Sequence, residues 1–370
     1  MKRLAGIAGL AMLALGLLPL AAAADPAAAP ANTQVVAASD PRFRYEGRFD
    51  FSNPASPVVV WEASRIAIDF SGDRLALRFR SITGEAFFDA TVDGATSLVD
   101  LREKTPDRTV AIPVSGPGPH HLTLFKRTEA TYGVVHFDGI EIAQGATVSP
   151  SAAPAYRMKM EVFGDSITVG ACDLDGKDDQ WDDRSTHDVA YSWATLVAAA
   201  YSADYRNMSV SGMGLFTGFV DVLAGQMWDR TYPRADSPKA DLSTWMPDVV
   251  FVLLGDNDDS YPRAHHLPFP GNFVEKYVSY IQAIRAARPK APIVLLNGAM
   301  WAGTQSPALL GAWTTAAARL EAADPGISHY TFVHWTQNHP RVADHRILAD
   351  ELLAWLKAHP SVMPVGPQGS

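Results

Sequence analysis

Val249, Val250, Phe251, Val252, Leu253 and Leu254 form an unbroken apolar run. A segment with no polar face has to be covered on both sides, so this run reads as a strand inside a sheet sandwiched between other elements. Residues 293–296 repeat the pattern, and 158–163 form a shorter apolar run ending at Gly164. Residues 205–210 and 330–335 read as further strands. Helical spacing stands between and after them: 190–203, 272–288 with Phe273, Tyr277, Tyr280, Ile281 and Ile284 on one side, 307–323 and 341–359. Strands alternating with helices predict a parallel sheet covered on both faces, an α/β domain. Ligands of such sheets gather beyond the carboxyl ends of the strands.

The first part of the chain has a different texture. Ile66, Ile68 and Phe70 alternate with polar or small residues, as do Leu75, Leu77 and Phe79, Leu122 and Leu124, and Val135, Phe137, Ile140 and Ile142. Turn signals separate these runs, among them Gly72-Asp73, Asp93-Gly94, Gly116-Pro117-Gly118 and Asp138-Gly139. About eight short half-buried strands over 41–145 predict an all-β domain, a β-sandwich of jelly-roll type. Residues 146–156, rich in Ala, Ser and Pro, read as a linker. The α/β domain then spans 157–360, with 361–370 as a tail.

The first residues read as an address. Met1, Lys2 and Arg3 carry positive charge, residues 4–20 are apolar, and Ala22, Ala23 and Ala24 form a small-residue cleavage site. Residues 1–24 are thus expected to be a signal peptide, with 25–40 a disordered segment after it and a periplasmic or secreted destination. No later run has the length of a membrane span. Cys172 is the one cysteine, so no intrachain disulfide can form. The formal net charge of -9 gives no electrostatic footprint for nucleic acid or an anionic membrane.

Four loops that follow strands carry candidate chemistry. Gly164-Asp165-Ser166 stands at a strand-to-helix turn, where a serine hydroxyl is exposed above the sheet edge beside the amides of the helix start. The loop through Ser209, Val210, Ser211, Gly212, Met213 and Gly214 offers a backbone amide that a ligand can approach closely. Asn257, just past the 249–254 run, can donate to a developing oxyanion from its side chain. His339, before Pro340 and a helix, lies on the same edge and can act as a general base. Each residue has a structural role open to it as well: helix cap, ordinary turn, Asx-turn, helix cap. Of the other histidines, His345 falls on the helix itself and His334 inside a strand, both structural positions.

The order Ser166, Gly212, Asn257, His339, each after its own strand, resembles the SGNH hydrolases. That resemblance implies a flavodoxin-like sheet, an ester-cleaving Ser166 with His339 as base, and an oxyanion hole made by the Ser166 amide, the Gly212 amide and the Asn257 side chain. A narrower resemblance covers nearly the whole mature chain. Tyr45-Glu46-Gly47-Arg48, Val92-Asp93-Gly94 and Phe125-Lys126-Arg127-Thr128-Glu129 are similar to the jelly-roll half of carbohydrate esterase family two, and the domain order agrees. It implies removal of O-acetyl groups from carbohydrate, an acetylated polysaccharide or oligosaccharide substrate, and neither metal nor organic cofactor.

The SGNH pattern has an aspartate three residues before its histidine, and Thr336 stands there instead. The favoured expectation is a Ser-His dyad whose imidazole is oriented by a backbone carbonyl. Asp344 and Asp256 are the alternative acids, and loss of activity is the third option. Asp173, Asp175, Asp178, Asp179, Asp182 and Asp183 crowd one stretch after the nucleophile; without EF-hand spacing they read as a solvated loop bordering the substrate groove rather than a calcium site. Trp181, Trp301, Trp335 and Asp256 are candidate substrate contacts, with core packing the stronger expectation for Trp335. Cys172 reads as a small buried residue. The β-domain lacks a run of exposed aromatics and is expected to wall one side of the cleft. Two other functions stay open: a carbohydrate-binding protein with a weakened site, and a lipase or thioesterase on the same scaffold.

Overall fold

The computed structural model describes residues 32–102 and 106–367. The expected signal peptide lies outside them. The first nine strands are β1 (Thr33–Val36), β2 (Arg44–Glu46), β3 (Arg65–Ser71), β4 (Leu75–Val92), β5 (Ala95–Arg102), β6 (Arg108–Ile112), β7 (Pro119–Lys126), β8 (Gly133–Ala143) and β9 (Val148–Ser149). All their pairings are antiparallel, in the order β1-β8-β4-β7-β3-β2, with β5 and β6 on β4 and β9 on β3. The 18-residue β4 ties the domain together. Its first half pairs with β6 and β8, its second half with β5 and β7. The alternating residues read from sequence point inward: Ile66, Ile68, Phe70, Leu75, Leu77, Phe79, Leu122, Leu124, Phe137, Ile140 and Ile142 form one core.

Two boundaries move. The segment 25–40 was expected to be disordered, but Thr33–Val36 pairs with β8 and Val36 is buried; Gln34, Val35 and Val36 complete that edge of the sheet. The expected linker contains β9, whose Val148 pairs with Phe70. Alanine and proline content hid both, because a two-to-four-residue edge strand carries almost no periodic signal.

The second domain contains β10 (Met158–Gly164), α1 (Ser166–Val169), α2 (Trp193–Ala200), β11 (Ala203–Ser209), α3 (Ala224–Met227), β12 (Val249–Leu253), α4 (Asp256–Ala264), α5 (Phe273–Ala287), β13 (Ile293–Met300), α6 (Trp301–Gln305), α7 (Pro307–Ala323), β14 (Ile327–Thr336) and α8 (Val342–Ala358). Its five strands are parallel in the order β11-β10-β12-β13-β14, which is the flavodoxin-type arrangement. Every residue of β12 is buried, as its composition requires. α7 begins with the Ser306 side chain accepting from the Leu309 amide and Pro307 at its first position, a strong N-terminal signal that places this helix within one residue of expectation. Val362 and Met363, read from sequence as tail, pack into the core on the α8 side. Among the described residues no helix is long and apolar enough to cross a membrane.

Residues 33–370 form one compact unit, and the two domains share apolar surface: Val58, Val60, Trp61 and Ala130 pack with the residues beneath α5 and α7. Buried charge joins them as well. Arg288 donates to both oxygens of Glu161 on β10, at 2.7 and 2.8 Å. Arg48 of the first domain approaches the same carboxylate at 3.5 Å and donates to the Trp228 and Arg230 carbonyls. All three side chains are at most 5% exposed. A buried pair of this kind adds little over an apolar pair of similar shape, but removing one member strands the other in a low dielectric. Arg288→Ala is therefore expected to lower the unfolding free energy by about 3–5 kcal/mol, read by urea titration, whereas Arg80→Ala, at a half-exposed pair with Asp138, costs about 1 kcal/mol or less.

Candidate active site

β10 ends at Gly164, where a Cβ would overlap the Thr168 side chain, so only glycine fits the turn. Asp165 follows as the N-cap, accepting from the Ile167 amide at 3.1 Å. Ser166 is the first residue of α1, a single turn closed by Gly170 in the left-handed region at φ 71°. The first amides of a helix have no partner inside it. Among the described residues no acceptor is found for the Ser166 amide, nor for that of Gly212. Gly212 lies in a β-turn closed by Met213 N–H to Val210 carbonyl at 3.2 Å, with φ 75°. Asp258 on α4 holds the chain just after it, its carboxylate accepting from the amides of Leu215, Phe216 and Thr217 at 2.8, 2.7 and 3.0 Å.

Ser166, Gly212, Asn257 and His339 all line one cavity of about 440 Å³ beyond the carboxyl edge of the parallel sheet. Among the described residues no hydrogen bond yet joins the Ser166 hydroxyl to the His339 ring; such bonds commonly tighten only with substrate bound. The Asn257 amide nitrogen donates to the Met213 carbonyl at 3.0 Å and, more loosely, to Asp165 at 3.3 Å. Burial, reinforced by the nearby charge of Asp256, raises the Asp165 carboxyl well above its ordinary range.

The side chain that meets the His339 ring is Asp179. Its carboxylate sits 2.7 Å from His339 Nδ1 and also accepts from the His339 backbone amide at 3.3 Å. Arg341 clamps the other carboxylate oxygen at 2.8 Å and donates to the Cys172 and His339 carbonyls. A carboxylate rather than the expected backbone carbonyl meets the ring at Nδ1, and neither Asp344 nor Asp256 contacts it. Asp344 instead pairs with His334 at 2.8 Å, and Asp256 accepts from the Gly303 amide at 3.2 Å. Partial burial alone would raise Asp179. The His339 hydrogen bond and charge, with the Arg341 bond, outweigh it and hold the group at about 2. Thr336, where the aspartate was missed, donates to the Asn338 carbonyl at 2.6 Å and fixes the histidine loop.

The acidic stretch is solvated in part, as expected: Asp178, Asp182 and Asp183 are exposed, while Asp175 and Asp179 are half-buried. Asp173 is buried and burial pushes it up to about 9. Asp183 and Asp188 cap short helical turns. Gly176 and Lys177 carbonyls accept from Arg341 and Asn338, stitching the loop to the histidine segment. Of the other candidate contacts, Trp181, Trp301 and Asp256 line the cavity. Trp181 stands against the His339 ring, centroids 5.4 Å apart, and one face of Trp301 is covered by the Arg263 guanidinium at 4.3 Å. Burial pushes Asp256 up to about 6. Trp335 neither lines the cavity nor packs in the core: it lies on edge strand β14 and is exposed. His334 is half-exposed rather than buried, while His345 is fully buried on α8 and accepts from the Trp193 amide at 3.3 Å. Cys172 is buried, and burial raises its thiol. The expectation that the β-domain walls the cleft is not met, since every residue lining the cavity belongs to the second domain. Phe219 and Arg263 also line the cavity; neither stands in a motif that marks it in the sequence.

Residues 162–362 match the model of the GDSL-like lipase/acylhydrolase family, and residues 45–154 match the carbohydrate esterase 2 N-terminal model. The chain belongs to the GDSL-like lipase/acylhydrolase family. Within it, the chain resembles the family two carbohydrate esterases. It is 30% identical over 341 residues to the cellulase/esterase CelE of Acetivibrio thermocellus, covering 88% of this chain but 40% of that one. It is 25% identical to an acetylxylan esterase/glucomannan deacetylase of Cellvibrio japonicus, over 75% of this chain and 77% of that one. Its fold matches a family two carbohydrate esterase from Clostridium thermocellum solved with cellohexaose, at TM-score 0.77 and 27% identity, over 87% of this chain and 100% of that one.

For this GDSL-family chain the Asp179 environment has a measurable consequence. Its carboxyl falls from an ordinary 3.8 to about 2 on folding, so the stabilisation is full above pH ~4 and is lost as pH falls through about 2. The stability difference between wild type and Asp179→Asn should close progressively as pH falls from ~4 through about 2, as read by denaturant unfolding.

Proposed function

We propose that this chain is an exported serine esterase that removes O-acetyl groups from polysaccharide or oligosaccharide, with Ser166 as nucleophile, His339 as general base and Asp179 as the acid that orients it. The observation that carries the reading is that Ser166, Gly212, Asn257 and a carboxylate-bound His339 line one cavity. The leader-like composition of residues 1–24 supports export, and the antiparallel first domain is read as the jelly roll of this esterase class.

In the proposed reaction the Ser166 oxygen attacks the acetyl carbonyl carbon while its proton passes to His339 Nε2. Asp179, accepting at Nδ1, holds the ring with Nε2 toward the serine and stabilises the imidazolium. The oxyanion is received by the Ser166 and Gly212 amides and by Asn257. Asn257 gives up its longer contact to do so. Collapse breaks the bond to the sugar oxygen, which takes the proton from His339. Water then attacks the acetyl-enzyme, His339 accepts its proton, and acetate leaves as the proton returns to Ser166. No step calls for a metal or organic cofactor.

The Asp179 geometry removes the reason for preferring a weakened, purely binding site, which was the lack of an acid at Thr336. The lipase or thioesterase reading shares the family match over 162–362, whereas the match of residues 45–154 to the carbohydrate esterase 2 N-terminal model favours the carbohydrate reading. Purified protein should release acetate from p-nitrophenyl acetate and from acetylated glucomannan or xylan, and Ser166→Ala should abolish it. Asp179→Asn should lower kcat by about 10²–10⁴ with KM little changed. Equal rates for wild type and Ser166→Ala would overturn the mechanism; higher activity on long-chain acyl esters than on acetyl esters would overturn the substrate class.

A further inference from the structure

The uncommon Lys126-Arg127-Thr128-Glu129 stretch does not reach the cavity, yet it is buried under the Gly212 loop. Glu129 is 1% exposed, Lys126 0% and Glu62 1%. The Glu129 carboxylate accepts from the Ser211 backbone amide at 3.0 Å and from the Thr131 hydroxyl. Glu62, on the same domain, accepts from the Ser209 amide at 3.0 Å. Lys126 donates to the Thr128 and Glu129 carbonyls, fixing the segment that carries Glu129. Tyr132 adds a 3.4 Å contact from its hydroxyl to Ser211 Oγ. Two carboxylates of the first domain therefore hold alternate amides of the chain that leads into Gly212.

The turn explains why this matters. Val210 to Met213 closes by a backbone bond with Gly212 at φ 75° in third position, and Ser211 is not among the residues with positive φ. That is the type II pattern. Types I and II differ mainly by a flip of the central peptide, here the one joining the Ser211 carbonyl to the Gly212 N–H. The direction of the Gly212 N–H is thus set by which turn forms. The positive φ of Gly212 sets the turn type, and an acceptor fixed on the Ser211 amide holds the peptide plane from which the turn starts, and with it the place and tilt of the Gly212 N–H.

We propose that Glu129 is a positioning residue: by accepting from the Ser211 amide it holds the turn that aims the Gly212 N–H into the cavity, so the first domain supports the oxyanion hole without lining it. The inference rests on the esterase reading for its catalytic consequence but not for the clamp itself, and the two are tested separately. Glu129→Met removes the acceptor at similar volume, and Glu129→Gln keeps an acceptor oxygen. Amide hydrogen exchange over residues 207–214 should quicken in Glu129→Met and stay near wild type in Glu129→Gln. On p-nitrophenyl acetate, Glu129→Met should lower kcat about 10- to 100-fold with KM within about threefold, less than the ~10²–10³-fold cost of deleting a whole oxyanion donor, and Glu129→Gln should recover most of it. If Glu129→Met does not fold, Glu129→Asp, which draws the carboxylate back by one methylene, gives the same comparison. Unchanged exchange in a folded variant overturns the clamp, whether or not the protein cleaves the ester. Quickened exchange with unchanged kcat, in a background where Ser166→Ala is inactive, overturns the positioning role and leaves the esterase reading standing. A parallel loss in Glu129→Gln and Glu129→Met overturns the hydrogen bond as its basis.

Discussion

The 2.7 Å contact between Asp179 and His339 joins the loop after β10 to the loop after β14. In a sheet ordered β11-β10-β12-β13-β14 these loops start three strands apart, roughly 14 Å at the usual spacing of about 4.8 Å. Spanning that distance takes a long insertion, and the stretch between α1 and α2 provides it. Arg341, Asn338 and the carbonyls of Gly176 and Lys177 tie the insertion down. Without this bridge the His339 ring loses its acceptor at Nδ1.

The rest of the site follows from a shared edge. Parallel strands deliver all their following loops to one side, and each strand end here supplies a different piece: Ser166, the Gly212 turn, Asn257, and the His339 loop. Beneath them buried polar groups hold the geometry. Asp258 fixes the stretch after Gly212, Glu129 and Glu62 fix the stretch before it, and the Glu161–Arg288 pair locks β10 to the end of α5. Each of these buried carboxyl groups is held by a backbone amide or a guanidinium group. Their concentration around one turn marks where precision is required.

Periodicity made the strand and helix framework legible. The all-apolar β12, the Ser306-Pro307 start of α7 and the inward residues of β3, β4 and β7 stand where alternation and caps put them. So do the four residues on the cavity wall, because each follows a strand and strand order fixes the edge. Asp179 was not legible in that way. It was one aspartate among several in a stretch whose composition resembles a solvated loop, and only the fold shows which carboxylate meets the imidazole. The edge strand β1 and short β9 escaped for want of length, and Trp335 was misplaced because an aromatic at a strand end gives no sign of which face is covered. The Lys126-Arg127-Thr128-Glu129 stretch was conspicuous in sequence, but its contact with Ser211 comes from the packing of two domains.

The most direct test of the assembled site is covalent. A reactive alkyl fluorophosphonate, small enough for the cavity, forms a stable adduct only with a serine activated by a base beside oxyanion donors. Intact mass and peptide mapping should find one adduct, on Ser166, and its rate of formation should collapse in His339→Ala. Labelling of another residue, or an undiminished rate without the His339 imidazole, would contradict the account.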